Sequence, residues 1–230
     1  MRKFFTVIVV VCVGLQSIAQ SFESDLKKMA ASYDVEKGFH IKVQYEVLQN
    51  GMSQYSGNSE VAMASGKFLK AMGGEEVRFD GKYMLKISHP FQEISMVEMD
   101  QKTMKEAKVM MNEGNPQTLD SLRKYSASVR LESEANGMRC WAISNPAEGI
   151  DEIKFWISTS NYRLHKVVQH LNSEKLQGNS VVVISYENLQ QPKSSVFSYS
   201  PYVEKGKDKF QATTAFNSYN LVVLDKSVWE

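Results

Sequence analysis

The stretch DEIKFWISTSNYRLHKVVQHLNSEKLQGNSVVVISYENLQQPKSSVFSYSPY, Asp151 to Tyr202, decides the fold class. It holds three or four short strand-like runs divided by turn residues, and no catalytic group. Ile153, Phe155 and Ile157 alternate with Lys154, Trp156 and Ser158, and Val181–Tyr186 is rich in β-branched residues. Such a meander presents one face to water and the other to something apolar. Function turns on whether that apolar face meets a packed core or a ligand.

Working outward, the same pattern recurs. Phe39, Ile41, Val43, Tyr45 and Val47 alternate strictly with His40, Lys42, Gln44 and Glu46, which predicts an amphipathic strand ending at the Asn50-Gly51 turn. Further strands are predicted at Glu60–Ala64, Lys67–Met72, Glu76–Phe79, Lys82–Ser88 and Phe91–Met99, divided by glycine-containing turns. Asp100–Thr103 reads as a tight turn, and Met104–Met111 fits either a strand or a short helix, with the turn before it favouring the strand. Val129–Glu134 and Met138–Ser144 form a hairpin across Asn136-Gly137, and Asn220–Leu224 closes the series. Glu204–Lys209 reads as a polar loop. Two helices are expected. One covers Ser24–Tyr33, with Ser24 as its cap and Asp25 near its positive end; the other covers Pro116–Tyr125, capped by Asn115. The sum is an α+β chain with about ten strands. An antiparallel sheet of that length curls, so the expected architecture is one curved antiparallel sheet, a half-barrel closed by short helices.

At the start, Arg2 and Lys3 precede an apolar run from Phe4 to Leu15, and Ser17 and Ala19 stand at the small positions of a cleavage site. This reads as a secretory signal peptide over 1–19, too short in its apolar part for the ~20 residues that span a bilayer. The rest, 20–230, is expected to be a single exported domain in a periplasm. Arg2 and Lys3 belong to the leader, so the remaining basic residues nearly balance the 26 Asp+Glu. That balance gives no electrostatic case for nucleic acid. Cys140 is the one cysteine beyond the leader, so no internal disulfide is available and stability rests on the core.

No catalytic or metal constellation emerges. His165 and His170 are five apart on a predicted strand and so face opposite sides. Cys140, beside Trp141, reads as a buried thiol. Glu75-Glu76 and Glu132/Glu134 read as solvated charge, and no lysine–serine/threonine pair follows the glycine pairs to hold phosphate. No enzyme activity, metal or cofactor is expected. Methionine is the compositional oddity: eight of the 12 lie between Met63 and Met111. Such side chains repack readily against varied apolar partners.

The order of elements resembles the LolA/LolB-like outer-membrane lipoprotein carriers. The likeness rests on HPFQEISMVEMDQKTM, with its Asp100–Thr103 turn, on NPQTLDSL (Asn115–Leu122), and on FWIS, LHKV, ISYENL and FSYSP within the opening stretch. The resemblance implies a periplasmic half-barrel whose apolar cavity shields lipoprotein acyl chains, with partner proteins at the inner and outer membranes. It also implies a lid-fastening arginine, for which Arg78 is the nearest match. The expected function is therefore a carrier or sensor of acyl chains or another lipid-like ligand, acting as a monomer. The alternative is a non-catalytic envelope adaptor whose half-barrel is filled by its own side chains. The clean alternations give the candidate ligand-binding set: Phe39, Ile41, Val43, Tyr45, Phe79, Tyr83, Leu85, Ile87, Ile94, Met96, Trp141, Phe155 and Leu164. Alternation alone does not say which face of each strand is the concave one.

Overall fold

A computed structural model describes residues 21–99, 128–172, 179–207 and 209–224. The expected signal peptide, the turn at 100–103, the strand at 104–111 and the helix at 116–125 lie outside the described residues.

Fourteen strands are present among them: β1 (Phe39–Gln49), β2 (Met52–Ala64), β3 (Lys67–Met72), β4 (Glu75–Phe79), β5 (Tyr83–Ser88), β6 (Glu93–Glu98), β7 (Ser128–Ala135), β8 (Met138–Ala147), β9 (Ile150–Ser158), β10 (Leu164–Leu171), β11 (Ser180–Asn188), β12 (Val203–Lys205), β13 (Phe210–Ala212) and β14 (Asn220–Leu224). Residues 21–32 form a helix, α1. Short 3-10 turns lie at Ser194–Phe197 and Thr214–Phe216.

Twelve strands form one open sheet in the order β14-β6-β5-β4-β3-β2-β1-β11-β10-β9-β8-β7, and β12 and β13 pair separately. The expected antiparallel sheet with short helices is thus present, with more strands than the ten counted from sequence. Two departures have clear causes. β2 starts at Met52 rather than Glu60, because the Asn50-Gly51 turn, with φ of 51° and 79°, folds the polar run after it directly back along β1. β14 pairs with β6 in parallel, which a local pattern cannot announce.

Contacts divide the chain into two compact units, with β1, β2 and β11 contributing to both. The described part of the first comprises 21–33, Gln44–Ser56, 128–172 and 179–186. Here β7 to β10 present Val129, Trp141, Ile143, Phe155, Ile157 and Leu164 to α1, which supplies Phe22, Leu26 and Met29. The 22, 26, 29 spacing is one helical face. The Phe22 and Trp141 rings lie 5.3 Å apart. This contact holds the first turn of α1, so the helix begins before Ser24 and that residue lies inside it rather than capping it.

The described part of the second unit comprises Asp34–Val43, 57–99, 187–207 and 209–224. Its strands β3 to β6 run as successive hairpins whose registers are continuous. Gly38 opens β1 in this unit with φ of 81°, and a Cβ there would stand 2.9 Å from the Ala64 Cβ, so both backbone and space require glycine.

Candidate ligand-binding face

In the second unit the register decides which residues share a face, because directly paired residues point the same way. One face carries Leu69, Arg78, Leu85 and Met96 in one cross-strand row, and Ala71, Glu76, Ile87 and Ile94 in the next. A C-terminal segment covers this face. Tyr202 and Val203 are buried with Leu85, Ile87, Ile94 and Met96, and Tyr83, Tyr199, Phe210, Phe216 and Tyr219 pack around them. Phe197 of the first 3-10 turn is buried against Ala62 and Leu69.

Polar pins fasten that cover. Arg78 donates from Nη1 to the Val196 carbonyl at 2.6 Å and from Nη2 to the Tyr202 hydroxyl at 3.0 Å. The Glu76 carboxylate accepts from Arg78 Nε and from the Tyr202 hydroxyl, both at 2.9 Å. His89 bridges Glu76 (3.0 Å) and the Tyr219 hydroxyl (2.8 Å). Burial pushes the Glu76 carboxyl up, but the hydrogen bonds from His89, Arg78 and Tyr202 outweigh it and hold the group below the usual carboxylate range. Burial and the Glu76 carboxylate together push the Tyr202 hydroxyl up to about 12.

The opposite face of the same strands is different. Its first row is Met63, Phe68, Phe79, Met84 and Val97, apolar throughout, with the Phe68 and Phe79 rings 5.8 Å apart. Its second row is Val61, Lys70, Val77, Lys86 and Ser95, and its third is Ser59, Met72, Glu75, Ser88 and Glu93. Met63, Phe68 and Met84 are only partly buried. At the third row a pocket of about 170 Å³ is lined by Glu75, Lys86, Ser88, Phe91, Glu93 and Ser95.

In the first unit, the face under α1 holds one buried carboxylate. Asp25 is 3% exposed, and its Oδ2 accepts from the Trp141 indole at 2.9 Å and from Arg139 Nη1 at 2.7 Å. Asp25, near the N-terminus of α1, is thus a pin between the helix and the strands. Arg139 also donates to Glu134, and these bonds raise its pKa further. The other face of these strands is a charged surface, where Lys154 meets Glu132 at 2.6 Å and Glu152 at 3.4 Å, and Arg130 meets Glu152. Cys140 lies buried on that side; burial, then Glu132, pushes its thiol up to about 11, which suits an inert residue.

The expected binding set is divided between the two units. Trp141, Phe155 and Leu164 come together under α1. Tyr83, Leu85, Ile87, Ile94 and Met96 come together under the C-terminal segment, whereas Phe79 points to the opposite face. Phe39 is buried, Ile41 and Val43 are partly buried on β1, and Tyr45 pairs with exposed Tyr55 in the hairpin, ring centroids 5.7 Å apart. Arg78, the expected lid fastener, bonds Val196 and Tyr202 of the C-terminal segment. Of the expected loop Glu204–Lys209, Glu204 and Lys205 belong instead to β12, where they pair with Gln211 and Phe210, and the Gly206 N–H donates to the Lys209 carbonyl in the turn to β13. Sequence reasoning missed Met63, Phe68, Met84 and Val97. The turns held the signal: Ser65-Gly66 and Gly73-Gly74, all with positive φ, set Met63 opposite Phe68 and Phe68 opposite Phe79.

No family model matches the sequence, and no curated protein matches it. Solved structures do show similarity. An uncharacterized conserved protein from Thermus thermophilus is 11% identical over 90% of this chain and 99% of its own, with a TM-score of 0.43. The MucA/MucB complex of Pseudomonas aeruginosa gives 12% identity over 83% of this chain and 62% of the other, with a TM-score of 0.41. A LolA superfamily protein from Nitrosomonas europaea is 9% identical over 77% of this chain and 97% of its own, with a TM-score of 0.29. At these scores the likenesses assign neither family nor function. Among the described residues no helix is long and apolar enough to cross a membrane.

Proposed function

We propose that this protein is an exported, non-catalytic carrier or sensor that binds acyl chains on the sheet face carrying Met63, Phe68, Phe79, Met84 and Val97. The observation that carries this reading is the unbroken apolar row on one face, opposite strands whose other face is already packed by the chain's own C-terminal segment. Each CH₂ buried there is worth roughly 0.8 kcal/mol, so an acyl chain can be held without any reacting group. Methionines at two of the five positions let the row adapt to chains of different length. Export in a periplasm, and lipoprotein acyl chains as cargo, are what the sequence resemblance to LolA/LolB-like carriers supports.

The test is displacement of an environment-sensitive dye by fatty acyl chains, with native mass spectrometry of protein taken from its own cell envelope. Acyl binding that weakens about tenfold in Phe68→Asp is expected, since one buried aromatic contributes roughly 1.5–3 kcal/mol. A protein that is always ligand-free and displaces no dye would sink the proposal.

One observation favours a second reading. In the first unit the apolar face is filled by α1, with Trp141 1% exposed, as an adaptor built on self-filled strands would have it. A partner protein captured without any bound lipid, together with a failure of the acyl experiment, would favour the adaptor.

A further inference from the structure

The three rows on this second face of the unit follow a chemical order, with Phe79 and Val97 of the first row buried and Met63, Phe68 and Met84 partly exposed. The first is apolar, the second carries Lys70 and Lys86, and the third carries Glu75 and Glu93 beside the pocket. Successive rows lie two residues apart along each strand, about 6.6–6.8 Å. Lys70 and Lys86 flank Val77 on neighbouring strands, and both are exposed. Lys86 reaches only to 3.9 Å from Glu75, and Lys70 makes no ion pair among the described residues.

The third row has an unmet acceptor. Glu75 Oε1 accepts from the Ser88 hydroxyl, while Oε2 is fully buried with no hydrogen-bond partner among the described residues. Glu93 stands on the same row, and Phe91, 80% exposed, adds an aromatic ring to the pocket wall. A carboxylate with one oxygen that lacks a hydrogen-bond donor, a second carboxylate and an exposed ring suit an ammonium group. An anion alone would meet the two lysines but then face the two carboxylates behind them.

We infer that, granted the acyl-binding reading above, the ligand of this face is a zwitterionic phospholipid-type amphiphile. Its chain lies along the Met63–Val97 row, its phosphate between Lys70 and Lys86, and its amine in the pocket at Glu75 and Glu93. The order of the rows then fixes the direction in which the ligand lies.

The experiment compares three ligands of one chain length by dye displacement: a monoacyl phosphatidylethanolamine, the monoacyl phosphatidate and the monoacylglycerol. The expected order places the zwitterion tightest, about tenfold over the monoacylglycerol, as a charge-assisted contact gives. In Lys70→Glu/Lys86→Glu that preference disappears while monoacylglycerol binding is unchanged, and Glu93→Lys reverses the order of zwitterion and phosphatidate. Lys70→Gln/Lys86→Gln, a milder change at the same exposed positions, gives the same loss of preference. Equal binding of all three ligands, or a phosphatidate that binds tightest to the unaltered protein, overturns the headgroup inference and leaves acyl binding standing. Failure of all three to bind overturns both.

Discussion

In the first unit the apolar strands lie under an N-terminal helix, and in the second they lie under a C-terminal segment that is mostly irregular. Both covers are pinned by an arginine and a carboxylate, but the charges are distributed differently. Under α1 the carboxylate, Asp25, travels on the cover and Arg139 stands on the sheet. Under the C-terminal segment both charges, Glu76 and Arg78, stand on the same strand, and the cover offers only a carbonyl and two hydroxyls. Each cover is held in the way its own backbone requires. A helix satisfies its own backbone, so one side-chain pin and a hydrophobic stripe suffice. An irregular segment has unpaired carbonyls, and Arg78 supplies the donor that Val196 lacks.

The largest effect on this comparison is expected from Trp141→Ala, which empties the centre of the helix-covered face. Loss of about 3–5 kcal/mol should appear in urea unfolding. Next comes Asp25→Ala. It leaves the Trp141 indole without its acceptor and Arg139 with Glu134 alone, at a cost of about 2–4 kcal/mol. Hydrogen exchange should quicken over 21–33 and stay unchanged over 194–219. Arg78→Met makes the reverse pattern, with faster exchange over 194–219 and a cost of about 1–3 kcal/mol. If either substitution loosens both covers alike, the two pins are not independent.

The pH response separates the pins further. Glu76 has a lowered folded pKa, so the stability it contributes is full above the ordinary carboxylate value of about 4.3 and is lost as pH falls through the folded value. Tyr202 is raised, so its contribution is full below 10.0 and lost as pH rises towards about 12. Exchange over 194–219 should therefore quicken at both extremes, and Tyr202→Phe should remove the alkaline limb only. The smallest effect is expected from Gly137→Ala. Its φ of 71° in the β7–β8 turn strains any side chain and costs about 1 kcal/mol in thermal unfolding.

Strand positions were largely legible in the sequence because alternation and turn chemistry are local. Phe39–Val47 and the Asn136-Gly137 hairpin were read within three residues of their observed bounds. The candidate face was not legible to the same degree. Phe79 and Leu85 looked equivalent as apolar alternations, yet the register sets Arg78, not Phe79, opposite Leu85 and so puts the two on opposite sides. The C-terminal cover was missed because its aromatics, Tyr199, Tyr202, Phe210 and Phe216, follow no period.

By itself the sequence determined the class of the fold, the places of its main turns and the want of any clustered catalytic motif, since these depend on side-chain period and on turn residues. Only the tertiary structure decided which apolar residues pack under α1 and which pack under the C-terminal segment. A strand in such a sheet can be apolar on both sides, and a period of two cannot tell the face that the chain covers from the face that it leaves. That choice was made by contacts between residues more than a hundred positions apart, such as Asp25 with Arg139 and Arg78 with Val196.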